Sequence, residues 1–165
     1  MNKNRYTEVF EKLLGRKIKT ASHAASMRGF VFAALASGDS ELWVIHIQCS
    51  WRIETRETIV TGSGDWDEPA NPETAVESGD PAQGGSLQDS KLRALFRDPD
   101  LSIRAITNRT ELFVCTHFEL SDRGDVTIGL TGDYVLRLFP ASCRGEQWRV
   151  FRKGDTDAHV VFESS

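Results

Sequence analysis

From Trp43 to Ile53 every second residue is apolar: Trp43, Ile45, Ile47, Cys49, Trp51 and Ile53. Successive side chains of an extended chain point to opposite faces, so these six share one face and the residues between them share the other. A helix would scatter the same residues around its circumference. The segment is therefore a strand with one face in a core. It is about twice as long as a common strand of roughly 5–6 residues, which predicts that it bends or pairs on both sides at the centre of a sheet. Its second face carries Val44, His46, Gln48, Ser50, Arg52 and Glu54 in place of an ordinary solvent mixture.

The remainder is punctuated in the same way. Strand-like runs cover Lys17–Ser22, Gly29–Leu35, Leu42–Glu54 and Thr58–Gly62, the last two joined by the turn Glu54–Glu57. The final third reads as Leu101–Thr107, Glu111–Leu120, Asp125–Leu130, Tyr134–Phe139, Gln147–Arg152 and His159–Glu163, separated by turns rich in Asn, Asp and Gly. Strands joined by short turns are antiparallel, since a parallel crossover needs a dozen or more residues. Two helices interrupt them. Tyr6, Val9, Phe10, Leu13 and Leu14 form one stripe and predict a helix over about 5–14, stopped by Gly15. Ser86, with Asp89 three residues on, opens a second over about 86–97; Leu87, Leu92, Leu95 and Phe96 face the core, and Pro99 follows. The fold class is α+β: a mostly antiparallel, strongly curved sheet, a sandwich or a partial barrel, with two helices, in a single domain over 1–165.

Residues 63–85 form an acidic loop rich in Pro and Gly. Between Arg56 and Lys91 there is no basic residue, while eight acids fall there, Asp65, Asp67 and Glu68 among them. The whole chain carries −4, so the rest carries +4. Such segregation marks either a solvated loop or a polarised interaction surface. Asp65, Trp66, Asp67 and Glu68 are the candidates for contact with a protein partner. The acidic balance argues against nucleic acid, and no apolar run reaches the roughly 20 residues of a membrane span. Cys49, Cys115 and Cys143 form no C-x-x-C pair and read as reduced thiols of a cytoplasmic protein.

Arginine recurs within strands: Arg52, Arg104, Arg137 and Arg149. One reading pairs them with Glu54, Glu119, Glu146 and Glu163 across the sheets. The other gathers them with His46 and Gln48 around an anion, such as a small molecule or a nucleotide phosphate, through bidentate donors. Catalytic signatures are missing. His23, His46, His117 and His159 show no metal-ligand spacing, and the acidic run lacks the spacing of a calcium loop. A two-histidine phosphoesterase needs Ser or Thr two residues after each histidine, where this chain has Gln48 and Glu119. No nucleophile elbow, Walker loop or dinucleotide fingerprint is present. No catalytic residue, metal or cofactor is assigned.

Three stretches together, IHIQCSWRI (45–53), GSGDWDEP (62–69) and LFPAS…EQWRVF…HVVF (138–162), resemble a set of small uncharacterised bacterial proteins, a domain of unknown function. The resemblance runs from about Gly15 to Phe162. It implies a bacterial or phage-related cytoplasmic protein and carries over no catalytic residue. Orphan domains of this kind include partner-binding proteins such as the immunity proteins of toxin systems. The expected function is therefore non-enzymatic binding through the acidic loop, with a small-molecule or nucleotide-phosphate site, binding or hydrolysing, on the Arg/His-lined sheet face as the alternative.

Overall fold

Among the residues that the computed structural model describes, 3–36, 38–73, 85–101, 105–155 and 159–164, turn chemistry cuts the chain into short strands and two regular helices. Helix α1 (Lys3–Glu11) is followed by β1 (Arg16–Ala24), β2 (Met27–Ala34), β3 (Leu42–Ile47), β4 (Ser50–Glu54) and β5 (Ile59–Gly62). A 3-10 turn (Ser63–Asp65) and helix α2 (Leu87–Phe96) come next. The chain ends in β6 (Ile106–Thr107), β7 (Cys115–Leu120), β8 (Val126–Leu130), β9 (Tyr134–Phe139), β10 (Gly145–Arg152) and β11 (Val160–Ser164). One sheet has six strands in the order β11–β10–β3–β2–β1–β6, the other five in the order β5–β4–β9–β8–β7. Every paired neighbour is antiparallel. The fold is thus α+β, as the sequence indicates, and the sheets do not close into a barrel; an isolated bridge joins Lys17 of β1 to Val114.

One core lies between the sheets. Phe30, Phe32, Ile45, Ile47, Trp148 and Val150 come from the six-stranded sheet, and Trp51, Ile53, Ile128, Leu136 and Leu138 from the other. Phe10 and Trp148 meet edge to face at 5.3 Å, which seats α1. Leu92 and Phe96 seat α2. Removing this much apolar surface from water, at roughly 25 cal/mol per Å², is what holds two otherwise independent sheets together.

The long alternating segment does bend. The N–H groups of Gln48 and Cys49 both donate to the Gln147 carbonyl, at 2.9 and 3.0 Å. Two residues opposite one make a bulge, which kinks a strand. Before it, Leu42–Ile47 pair with β2 and β10; after it, Ser50–Glu54 pair with β5 and β9. The odd-numbered residues stay inward on both sides of the bend, because both sheets face the same core.

Other boundaries move for local reasons. The first helix starts two residues and ends three residues earlier than the stripe suggests. Its end tightens through i to i+3 bonds from Lys12, Leu13 and Leu14, and Gly15 takes φ +72° as its N–H donates to Cys115. Leu14 consequently leaves the core and is 42% exposed. The expected strand Glu111–Leu120 begins only at Cys115. Asn108 holds residues 108–112 in a turn: its Oδ1 accepts from the Thr110 N–H and hydroxyl, and its Nδ2 donates to Ile18 and Leu112. Of the expected strand Leu101–Thr107 only β6 is seen, residues 102–104 lying outside the described residues. No described helix is long and apolar enough to cross a membrane.

Candidate functional site

The β1–β2 hairpin runs past the end of the core, and its inner face there is polar. His23 stands directly across from Arg28. Arg28 has the same parity as Phe30 and Phe32, so its guanidinium enters the side of the sheet that buries those rings, and it is only 1% exposed. A buried charge costs several kcal/mol unless it is paired and hydrogen-bonded. Here Nε donates to Gln88 Oε1 and Nη2 to Asp89 Oδ1, both at 2.9 Å, and Nη2 also reaches Gln88. The Gln88 amide in turn donates to the Gly62 carbonyl at 2.7 Å. Desolvation lowers the Arg28 pKa, opposed by the hydrogen bond and charge of Asp89. Nη1 has no hydrogen-bond partner among the described residues.

Trp66 covers this pair. Its ring lies 5.8 Å from the Arg28 guanidinium carbon and 4.5 Å, edge to face, from the His23 ring. His23 Nε2 is 3.5 Å from the second oxygen of Asp89, so one carboxylate bridges both cations of the hairpin whenever His23 is protonated. Asp89 is thus turned to the sheet, and Ser86 alone caps α2, accepting from the Asp89 N–H at 3.1 Å. The loop is fastened on its other side by Leu87 N–H to Glu68 O (2.7 Å) and Ala70 N–H to Gly85 O (3.0 Å).

What remains is a cleft of about 430 Å³ whose walls include His23, Trp66, Asp67, Glu68, Ser86 and Asp89. Three of the four acidic-loop candidates, Trp66, Asp67 and Glu68, therefore come together. Asp65 does a different job: its carboxylate accepts from the Thr61 hydroxyl (2.8 Å) and the Gly62 N–H (3.1 Å) and caps the 3-10 turn. Asp67 and Glu68 are exposed, and their carboxylates have no hydrogen-bond or ion-pair partner among the described residues. Ser86, the one hydroxyl on the wall among the described residues, is occupied as a helix cap. The cleft offers a flat aromatic wall and free carboxylates, which suits binding of a cationic group.

The Arg/His face is divided by the bulge. Arg52 of β4 and Arg137 of β9 face one another and both reach Glu54, Arg52 Nε at 2.5 Å. Arg137 also donates to Thr127 Oγ1 at 3.1 Å, and the Arg52 guanidinium lies 4.9 Å from the Phe139 ring. Burial raises the Glu54 pKa, but the hydrogen bonds and charges of Arg137 and Arg52 outweigh it and hold the carboxyl below its ordinary range. On the six-stranded sheet, Arg149 forks onto Glu146 at 2.5 and 2.6 Å, which raises the Arg149 pKa. Glu146 also accepts from Gln48 at 2.8 Å. His46 lies opposite Arg149 and edge-on to Phe151 at 4.8 Å; desolvation, then the Arg149 charge, lowers its pKa. Arg104 lies outside the described residues. Gln48 stands at the bend, with His46 and Arg149 on the six-stranded sheet before it and Arg52 and Arg137 on the five-stranded sheet after it. Arg52, Arg137 and Arg149 are each held by a carboxylate, Arg137 by Glu54 across two strands and Arg52 and Arg149 by Glu54 and Glu146 on their own strands.

Burial pushes the Cys115 thiol up to about 12 and the Cys49 thiol to about 11, so neither supplies a thiolate nucleophile at neutral pH. Reading the strand from Gly29 overlooks Arg28, although its shared parity with Phe30 and Phe32 was the available signal. His23 and Gln88 carry no signal in the sequence, since their roles exist only once the hairpin and α2 meet. The chain matches no protein family, no curated protein and no solved structure.

Proposed function

We propose that this protein is a non-enzymatic binding or accessory protein that docks a protein partner through the Trp66 cleft, with a basic side chain of the partner entering between Trp66 and the carboxylates of Asp67, Glu68 and Asp89. The carrying observation is an aromatic ring seated against buried Arg28 and half-buried His23, with two carboxylates beside it that have no partner among the described residues. An aromatic anchor surrounded by charges is the anatomy of an interface hot spot, and acidic rims steer basic partners. A cytoplasmic, immunity-like role in a bacterium fits this chemistry, and the three free thiols support a reducing compartment.

The test is affinity capture at low salt, comparing the wild type with Trp66→Ala and with Asp67→Asn/Glu68→Gln, followed by titration of the captured partner. Trp66→Ala is expected to weaken binding by about 2 kcal/mol, roughly thirtyfold. The double charge variant is expected to slow association and flatten its salt dependence. A partner held equally well by all three proteins rules this surface out.

A further inference from the structure

The outer face of the five-stranded sheet carries a second, larger concavity of about 990 Å³, within the size range of small-molecule sites. Its geometry follows from one glycine. In register, Glu54, Val135, Gly129 and His117 stand side by side across β4, β9, β8 and β7. A Cβ on Gly129 would collide with the His117 ring, so the missing side chain is what lets the imidazole lie across β8 and reach inward from the edge strand. His117 Nδ1 is engaged with Thr116 Oγ1 at 3.0 Å, and Nε2 has no partner among the described residues. From the other side comes Arg137, fixed through Nε by Glu54 and through Nη1 by Thr127, with Nη2 unpartnered among the described residues.

The charges favour an anion on this floor. Glu54 is shared by two guanidinium groups, so the Arg52–Glu54–Arg137 set keeps one net positive charge. Arg56 adds another at the rim, where the exposed acids Glu57 and Asp133 also stand. A ligand with an oxyanion at one end and a neutral or cationic remainder satisfies both zones. We propose that this groove binds the carboxylate or phosphate group of a small ligand between His117 Nε2 and the Arg137 guanidinium, with Gly129 positioning the histidine. Both side chains are already oriented by neighbours, so little ordering is required on binding.

Titration of the ¹⁵N-labelled protein with inorganic phosphate and, separately, with succinate tests this, and the two arms tell a phosphate site from a carboxylate site. The expected result is saturable shifts at Gly129, Val135 and the His117 ring with at least one probe. Affinity is expected to fall about tenfold or more in His117→Asn and in Arg137→Gln, and to stay unchanged in Arg149→Gln on the other sheet. Gly129→Ala, which evicts the His117 ring, is expected to weaken binding as much as His117→Asn. If Arg137→Gln fails to fold, His117→Asn still decides, because that side chain is exposed. No saturable shift in the groove with either probe, or wild-type affinity in His117→Asn, overturns the proposal.

Discussion

Arg28 and Arg137 both sit in apolar strands, and both bond to a carboxylate and to a neutral oxygen acceptor. They differ in which face they occupy. Arg137 lies between Leu136 and Leu138, both buried, so it points out and keeps 38% of its side chain exposed. Arg28 keeps step with Phe30 and points in. Water can therefore replace lost partners of Arg137 but not of Arg28. The same kind of ion pair is a buried rivet in one place and a water-facing anchor in the other, and this is why the first builds a cleft wall while the second is available to a ligand.

The largest effect is expected at the rivet. Arg28→Met should cost about 3 kcal/mol in urea denaturation, because it strands the buried Gln88 carbonyl and a partly buried Asp89. Arg137→Met should cost less than about 1 kcal/mol, because Glu54 keeps its ion pair with Arg52 and the guanidinium removed is itself partly exposed. Equal losses in the two variants would break the comparison.

Acid titration sharpens it. Buried Asp98 accepts from the N–H groups of Thr107 (2.7 Å) and Asp100 (3.2 Å) and from Arg109 (3.1 Å). Desolvation raises its pKa, but these donors prevail and lower it, as the two arginines do for Glu54. Folding lowers both pKa values, so the unfolded chain binds more protons; their stabilisation is present above the ordinary carboxylate pKa of about 4 and is lost as pH falls through the lower folded values. Urea midpoints measured from pH 6 down to about pH 2 should fall steeply for the wild type and less steeply for Asp98→Asn. A midpoint flat with pH would contradict this.

The smallest effect is expected on the six-stranded sheet's outer face. Arg149→Gln leaves Glu146 with Gln48 and water, and should shift stability by under about 1 kcal/mol, shrinking further in high salt. A larger loss would mean that the fork with Glu146 acts as a rivet too.

Much of the fold was legible because it follows from periodicity. Alternation placed the strands, and the Ser86 cap and the Gly15 stop marked helix ends to within a few residues. Legibility failed where a side chain overrode the local pattern. Asn108 turned the start of an apparent strand into a turn, and the i to i+3 bonds after α1 put Leu14 into solvent. The acidic loop announced itself by composition, yet of its four candidates Trp66, Asp67 and Glu68 line the cleft and Asp65 does not, because Asp65 is consumed by its own turn.

By itself the sequence determined which residues face inward along each strand, that the strands pair antiparallel, and that acids gather before the second helix. These are local properties, set by the alternation of side chains and by short turns. The tertiary structure decided which outward residues meet. The bulge at Gln48–Cys49 sends one strand into two sheets, separating His46 from Arg52, while α2 brings Asp89 to Arg28 and His23. Parity fixes a side chain's face, but only packing of distant segments fixes its neighbours, and binding depends on neighbours.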